Sequence, residues 1–150
     1  MQPVGELLPE DEPLTLPPST SVFDACVHMR DSRVGAVLIN DGEGLPEGVF
    51  TERDLMTRVV AAGRDARRTT LEEVMTRDIY FARADMPSSE VRREMQRRHI
   101  RHAPVVDSDD KLLAMLSLRD LLRADLHETR QEVKAITQYI QGGFEGPEAS

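Results

Sequence analysis

The chain has 150 residues, 27 of them acidic and 19 basic, for a net charge of −8, with a single cysteine. That length allows one compact domain or two small units sharing a core, and excludes two large independent domains. The acidic balance argues against a nucleic-acid backbone or an anionic membrane surface as the main partner, since either would repel the chain.

Cys26 alone offers neither a disulfide framework nor a thiolate metal cluster, which suits a reducing compartment. The opening residues carry no basic n-region and no apolar run reaches membrane-span length, so the expectation is a soluble cytoplasmic protein. Beyond the Pro- and acid-rich stretch 9–13, Leu14 and Leu16 alternate against Thr15 as a short strand. Ser19, Thr20 and Ser21 supply N-cap oxygens for a helix whose Val22, Ala25, Cys26 and Met29 share a face. Gly35 to Ile39 reads as a buried strand, Asp41 to Gly44 as a turn, 48–50 as a strand and 53–62 as a helix stopped by Gly63.

Residues 63–70, with Arg64, Arg67 and Arg68, form a polar linker, and Thr70 with Glu73 has the spacing of a capping box for a short helix ending near Met75. The order of elements then recurs: strand Ile79 to Ala82, helix 88–98, strand Ala103 to Val106, turn Asp107 to Asp110, strand Leu112 to Leu116, and a helix from Arg119. Leu126, Val133, Ile136, Tyr139 and Ile140 line one side of a further charged helix, expected to stop at Gly142-Gly143 before a frayed tail from Glu145 to Ser150.

The recurrence is a repeat. Gly48-Val49-Phe50-Thr51-Glu52-Arg53-Asp54-Leu55 returns 66 residues later as Ala114-Met115-Leu116-Ser117-Leu118-Arg119-Asp120-Leu121, and the same offset sets Met29 on Met95, Val34 on Ile100 and Asp41 on Asp107. Two copies of this size are each marginal alone and are expected to fold as a pair. The expected division is 1–62 for the first repeat with its N-terminal segment, 63–70 for the linker, 71–125 for the second repeat, and 126–150 for the C-terminal helix and tail.

Each Thr/Ser-x-Arg-Asp lies where a strand hands over to a helix, so backbone N–H groups and the helix dipole converge on a point that attracts an anion. Arg53 and Arg119 suit phosphate oxygens, and the Thr51 and Ser117 hydroxyls can donate to the same group. Asp54 and Asp120 suit the vicinal diol of a ribose. The same spacing also describes an ordinary capping box, and both readings stand at this point.

The two motifs, together with Val74-Met75-Thr76-Arg77-Asp78 and Arg101-His102-Ala103-Pro104-Val105-Val106-Asp107, give residues 14–125 a pattern that resembles the CBS-domain family, whose tandem repeats pair into a Bateman module. The resemblance implies an α/β fold of two tandem β-α-β-β-α repeats packed as a pseudo-twofold pair, plus the C-terminal helix. It implies an adenine-nucleotide ligand in the cleft between repeats: AMP first, with ADP, ATP, NAD or S-adenosylmethionine as alternatives. By the same resemblance Asp54 and Asp120 bind ribose, Thr51, Arg53, Ser117 and Arg119 contact phosphate or ribose, and Gly35-Ala36-Val37 and His102-Ala103-Pro104 flank the base. Because Gly35-Ala36 stands where the second copy has Arg101-His102, the second motif is expected to have the richer phosphate surroundings.

His99 and His102 gather no further Cys or His by sequence, so a solvated or phosphate-contacting role is favoured over metal ligation. Cys26, on an apolar helix face, reads as a core residue. No nucleophile, base and oxyanion donor converge, and no catalytic residue is assigned. The expectation is a non-enzymatic regulatory module that forms a homodimer and signals ligand state to a target protein. The alternatives are an interaction module with vestigial nucleotide sites and, less favoured, a small nucleotide-processing enzyme. The C-terminal helix is either a solvated extension or a docking surface for a partner subunit.

Overall fold

Two three-stranded sheets, each combining a parallel and an antiparallel pair, organise the computed structural model, which describes residues 2–148 and their side chains as far as residue 141. The first sheet holds β1 (Thr15–Leu16), β2 (Ala36–Ile39) and β3 (Gly48–Thr51), with α1 (Val22–Ser32) crossing from β1 to β2. A helix follows β3, its first turn α2 (Glu52–Asp54) and its continuation π-helical over Leu55–Val60, and then α3 (Leu71–Val74). The second sheet holds β4 (Ala82–Arg83), β5 (His102–Val106) and β6 (Leu112–Ser117), with α4 (Ser88–Arg97) as its crossover and α5 (Leu118–Glu148) after it. This is the expected α/β pair of repeats with a C-terminal helix. Register repeats to the residue: Ala36 faces Thr51 and Val37 faces Phe50 in one sheet, His102 faces Ser117 and Ala103 faces Leu116 in the other.

Each copy has its own apolar core, and each core is closed by the segment that precedes the other copy. Val22, Ile39, Phe50 and Val59 pack with Leu71, Val74 and Met75, whereas Val91, Met95, Val105, Leu116 and Leu121 pack with Val4, Leu7 and Leu8. The backbone repeats this exchange. The Leu71 and Glu72 N–H groups donate to the Thr20 and Pro18 carbonyls, and the Val4 and Gly5 N–H groups donate to those of Met86 and Ala84. Residues 2–8 therefore belong physically to the second repeat's core although they precede the first. Burying a side chain such as Val4 contributes about 1.5–3 kcal/mol, so the crossed segments couple two units that would be marginal alone.

Several local expectations are corrected. The strand expected over Ile79 to Ala82 starts at Ala82. In the first copy the Leu38 N–H donates to the Leu14 carbonyl; at the equivalent position Pro104 has no N–H to give Tyr80. Residues 79–80 are thus released from the sheet. Thr70 makes no side-chain cap on α3; its expected partner Glu73 is instead ion-paired with Arg64. The helix expected over 53–62 is α-helical only to Asp54 and then π-helical, with the Ala61 N–H reaching back five residues to Met56. It ends at Val60, short of the expected 62, and Gly63 takes φ +72° in the turn that follows. Gly142-Gly143 does not stop α5, whose backbone runs on to Glu148; glycine in a helix costs about 1 kcal/mol relative to alanine but does not forbid the conformation. Residues 145–148 are accordingly helical, while Ala149 and Ser150 and the Phe144 side chain lie outside the described residues.

Candidate functional site

The repeated motifs occupy the two strand-to-helix junctions, and both are reciprocal caps. The Thr51 N–H donates to Asp54 Oδ2 at 3.0 Å and the Asp54 N–H donates to Thr51 Oγ1 at 3.2 Å. In the second copy the Ser117 N–H donates to Asp120 Oδ2 at 3.0 Å and the Asp120 N–H donates to Ser117 Oγ at 3.1 Å. Each carboxylate thus commits one oxygen to its helix start. The other oxygen of Asp54 has Thr76 Oγ1 at 3.4 Å and Arg58 Nε at 3.6 Å. At 8% exposure Asp54 is a buried carboxylate at the floor of an opening rather than a solvated cap.

That opening is a cleft of about 790 Å3 between the two repeats, within the size range of small-molecule sites. Gly35, Thr51, Arg53 and Asp54 reach it from the first copy, and Arg101, His102 and Pro104 from the second. The structure therefore joins the first motif to the second copy's Arg-His-Ala-Pro edge. Ala36, Val37 and Ala103 are buried in their sheets and contribute backbone position only. Asp120 lines a different cleft, of about 720 Å3, with Gln2, Leu7, Pro9, Arg123 and His127, while Ser117 and Arg119 line neither.

The arginine-rich surroundings belong to Asp54, which corrects the expectation that the second motif would have them. Arg53, Arg58, Arg98 and Arg101 all line the Asp54 cleft. The offset of 66 puts Ala124 where the first copy has Arg58, and Gly35 where the second has Arg101. The first motif looks across the interface, so Arg101 serves the motif of the other repeat.

Two of the guanidinium groups are held in place by backbone acceptors. Arg53 donates to the His99 carbonyl at 3.0 Å, and Arg58 donates to the Val74 and Met75 carbonyls at 3.3 and 3.2 Å. Arg98 lies 4.9 Å from the centre of the Tyr80 ring, a cation–π arrangement. His102 is mostly buried between the motifs. Desolvation pushes its pKa below the ordinary histidine value, against the opposing fields of Glu52 and Asp120, with Arg101 and Arg119 acting in the same direction as burial. His99 sits at φ +56°, and among the described residues no group of three His, Cys, Asp or Glu side chains has a metal-holding arrangement. Cys26 packs against the first core, and burial raises its thiol pKa, the opposite of an activated nucleophile.

Sequence reasoning did not assign Arg58, Arg98, Tyr80 or Thr76 to the site. Arg58 was detectable as the residue one helical turn beyond Asp54; the others depend on how the repeats dock.

Comparison with known proteins agrees with this architecture. The CBS-domain family model matches twice, over residues 4–61 and 71–127. The chain is 35% identical over 129 residues to the mitochondrial CBS domain-containing protein CBSX3 of Arabidopsis thaliana, covering 83% of this chain and 62% of that one, so it spans less than two thirds of that relative. Among solved structures, a protein with CBS domains from Burkholderia ambifaria MC40-6 superposes with a TM-score of 0.77 at 28% identity, covering 83% of this chain and 93% of that one. The hexameric CBS-CP12 protein from bloom-forming cyanobacteria shares the fold, with a TM-score of 0.70 at 22% identity over 90% of this chain and 86% of its own. No helix among the described residues is long and apolar enough to cross a membrane. With two matched repeats and the tandem fold, the chain belongs to the CBS-domain family.

Proposed function

We propose that the chain is a regulatory module that binds an adenine nucleotide in the Asp54 cleft and passes ligand state to a partner protein. The observation that carries this reading is the cross-repeat assembly of the Thr51 hydroxyl and the buried Asp54 carboxylate with four guanidinium groups. In the proposed complex Thr51, Arg53, Arg58 and Arg101 contact phosphate, Asp54 and Thr76 contact the ribose diol, and the base lies near Tyr80, Pro104 and Gly35. Arg53, Arg58 and Arg101 favour a ligand with phosphate oxygens over S-adenosylmethionine, which has none. Ser117, Arg119 and Asp120 make up the corresponding second motif, and its poorer cation supply makes it the weaker site.

Regulation follows from linkage. A ligand that touches both copies shifts their relative arrangement by its difference in affinity for the two states. The module is proposed to act as a homodimer and without catalysis.

A second reading, an interaction module with vestigial nucleotide sites, is favoured by one observation: both motif aspartates already serve as helix caps. Thermal shift with AMP, ADP, ATP, NAD and GTP separates the two. The sensor reading expects adenine nucleotides to raise the melting temperature with concentration by mass action; no shift at millimolar ligand would reject it.

A further inference from the structure

The helix after the first motif ends at Val60, whereas its counterpart α5 continues far beyond the second core. The apolar pair Met56 and Val60 is exposed on the first helix, and its equivalent Leu122 and Leu126 on α5. On α5 alone this pair opens a longer series. Leu122, Leu126, Thr129, Val133, Ile136 and Ile140 follow one another at alternating spacings of four and three, the a/d seam of a coiled coil interrupted only by Thr129. All six are exposed, Val133 and Ile136 by more than half, and Tyr139, at 82%, lies beside the seam. Every residue from Leu126 to Gln141 is exposed. Helices in proteins draw most of their stability from packing an apolar face, so the exposed series calls for a second surface.

We infer that α5 pairs in parallel and in register with α5 of a second copy of this chain. The charges beside the seam select both partner and direction. In a parallel pair Asp125 of one helix falls opposite Arg130 of the other, twice by symmetry. Within its own chain Asp125 is ion-paired with Arg92 of α4, so the new contact completes an Arg–Asp–Arg row. An antiparallel pair that matches the same apolar layers sets Glu132 against Glu132 and Arg130 against Arg130, which is repulsive. Two of the three a positions, Val133 and Ile140, are β-branched, as two-stranded coils prefer. This inference is independent of nucleotide binding.

The test uses the full chain carrying Cys26→Ser, with Ile140→Cys as the only thiol. In a parallel pair the two introduced thiols share one layer, and mild oxidation is expected to give a covalent dimer. Adding Val133→Asp and Ile136→Asp is expected to slow that crosslinking by more than about tenfold, with each repeat's thermal unfolding retained. The inference is overturned if no covalent dimer forms, or if it forms as fast with the two aspartates in the seam. Efficient crosslinking only when Leu122→Cys is paired with Ile140→Cys would overturn the parallel orientation.

Discussion

The Arg53 guanidinium donates to the His99 carbonyl, 46 residues away and in the other repeat, at 3.0 Å. His99 presents that carbonyl from the left-handed turn that ends α4, at φ +56°, and Arg33 makes the equivalent turn at the end of α1, at φ +57°. One arginine thus both lines the cleft and ties its walls together.

Arg53→Ala should therefore weaken ligand binding more than it weakens folding. The side chain is exposed, so its loss should cost about 1 kcal/mol or less in a urea melt. Removing a charge-assisted contact to phosphate should lower nucleotide affinity by roughly tenfold. Calorimetric titration beside the melt checks this. An unchanged affinity would remove Arg53 from the site.

Gly48 is the close approach that seats the exchanged segment. A Cβ there would lie 2.4 Å from Met75 Sδ and 2.8 Å from its Cγ. Met75 is buried in the first core, so Gly48→Ala should destabilise the fold by about 1–3 kcal/mol through overpacking. In a Met75→Ala background the same change should cost much less. Equal costs in both backgrounds would show that the backbone at 48, rather than the Met75 contact, sets the requirement. The second copy carries Ala114 at the same register.

Acid should destabilise the protein in two steps. His102 has a depressed pKa, so as pH falls through its ordinary value of 6.5 the unfolded chain takes up the proton first and stability is lost. Glu94, held at about 2 by its hydrogen bonds from Arg97 and Arg98, contributes stability that is present above its ordinary 4.5 and lost as pH falls through about 2. His102→Gln should flatten the stability profile between about pH 7.5 and 5.5 while leaving the lower step intact. An unaltered upper step would place the titrating group elsewhere. Because an anion beside His102 favours its protonated form, nucleotide binding should also strengthen as pH falls across this range.

The repeat was legible because the offset of 66 survives in residues that each copy needs for its own strand ends and helix caps. Leu55 and Leu121 fill the same layer, and Thr51 and Ser117 cap the same turn. What the sequence did not show is which edge faces which motif. Arg101 is near Ser117 in its strand pairing, yet it lines the cleft of Asp54, a consequence of docking that no local spacing encodes. The exchange of residues 2–8 was hidden for the same reason. Pro104 acted through an absent bond to Tyr80, visible only once the strand partner was known. The binding and capping readings of the motifs were not separable, since one carboxylate can cap with one oxygen and offer the other.

Titration calorimetry of AMP and ATP into wild type, Asp54→Asn and Asp120→Asn tests whether the Asp54 cleft is the principal nucleotide site. Either substitution should cost about 1 kcal/mol or less of folding stability as a weakened cap. Loss of a charged acceptor for the ribose should lower affinity by roughly tenfold to a hundredfold in Asp54→Asn. Asp120→Asn should leave the stronger binding step nearly intact. Binding that is indifferent to Asp54→Asn, or absent in the wild type, would show that the Asp54 cleft is not the nucleotide site.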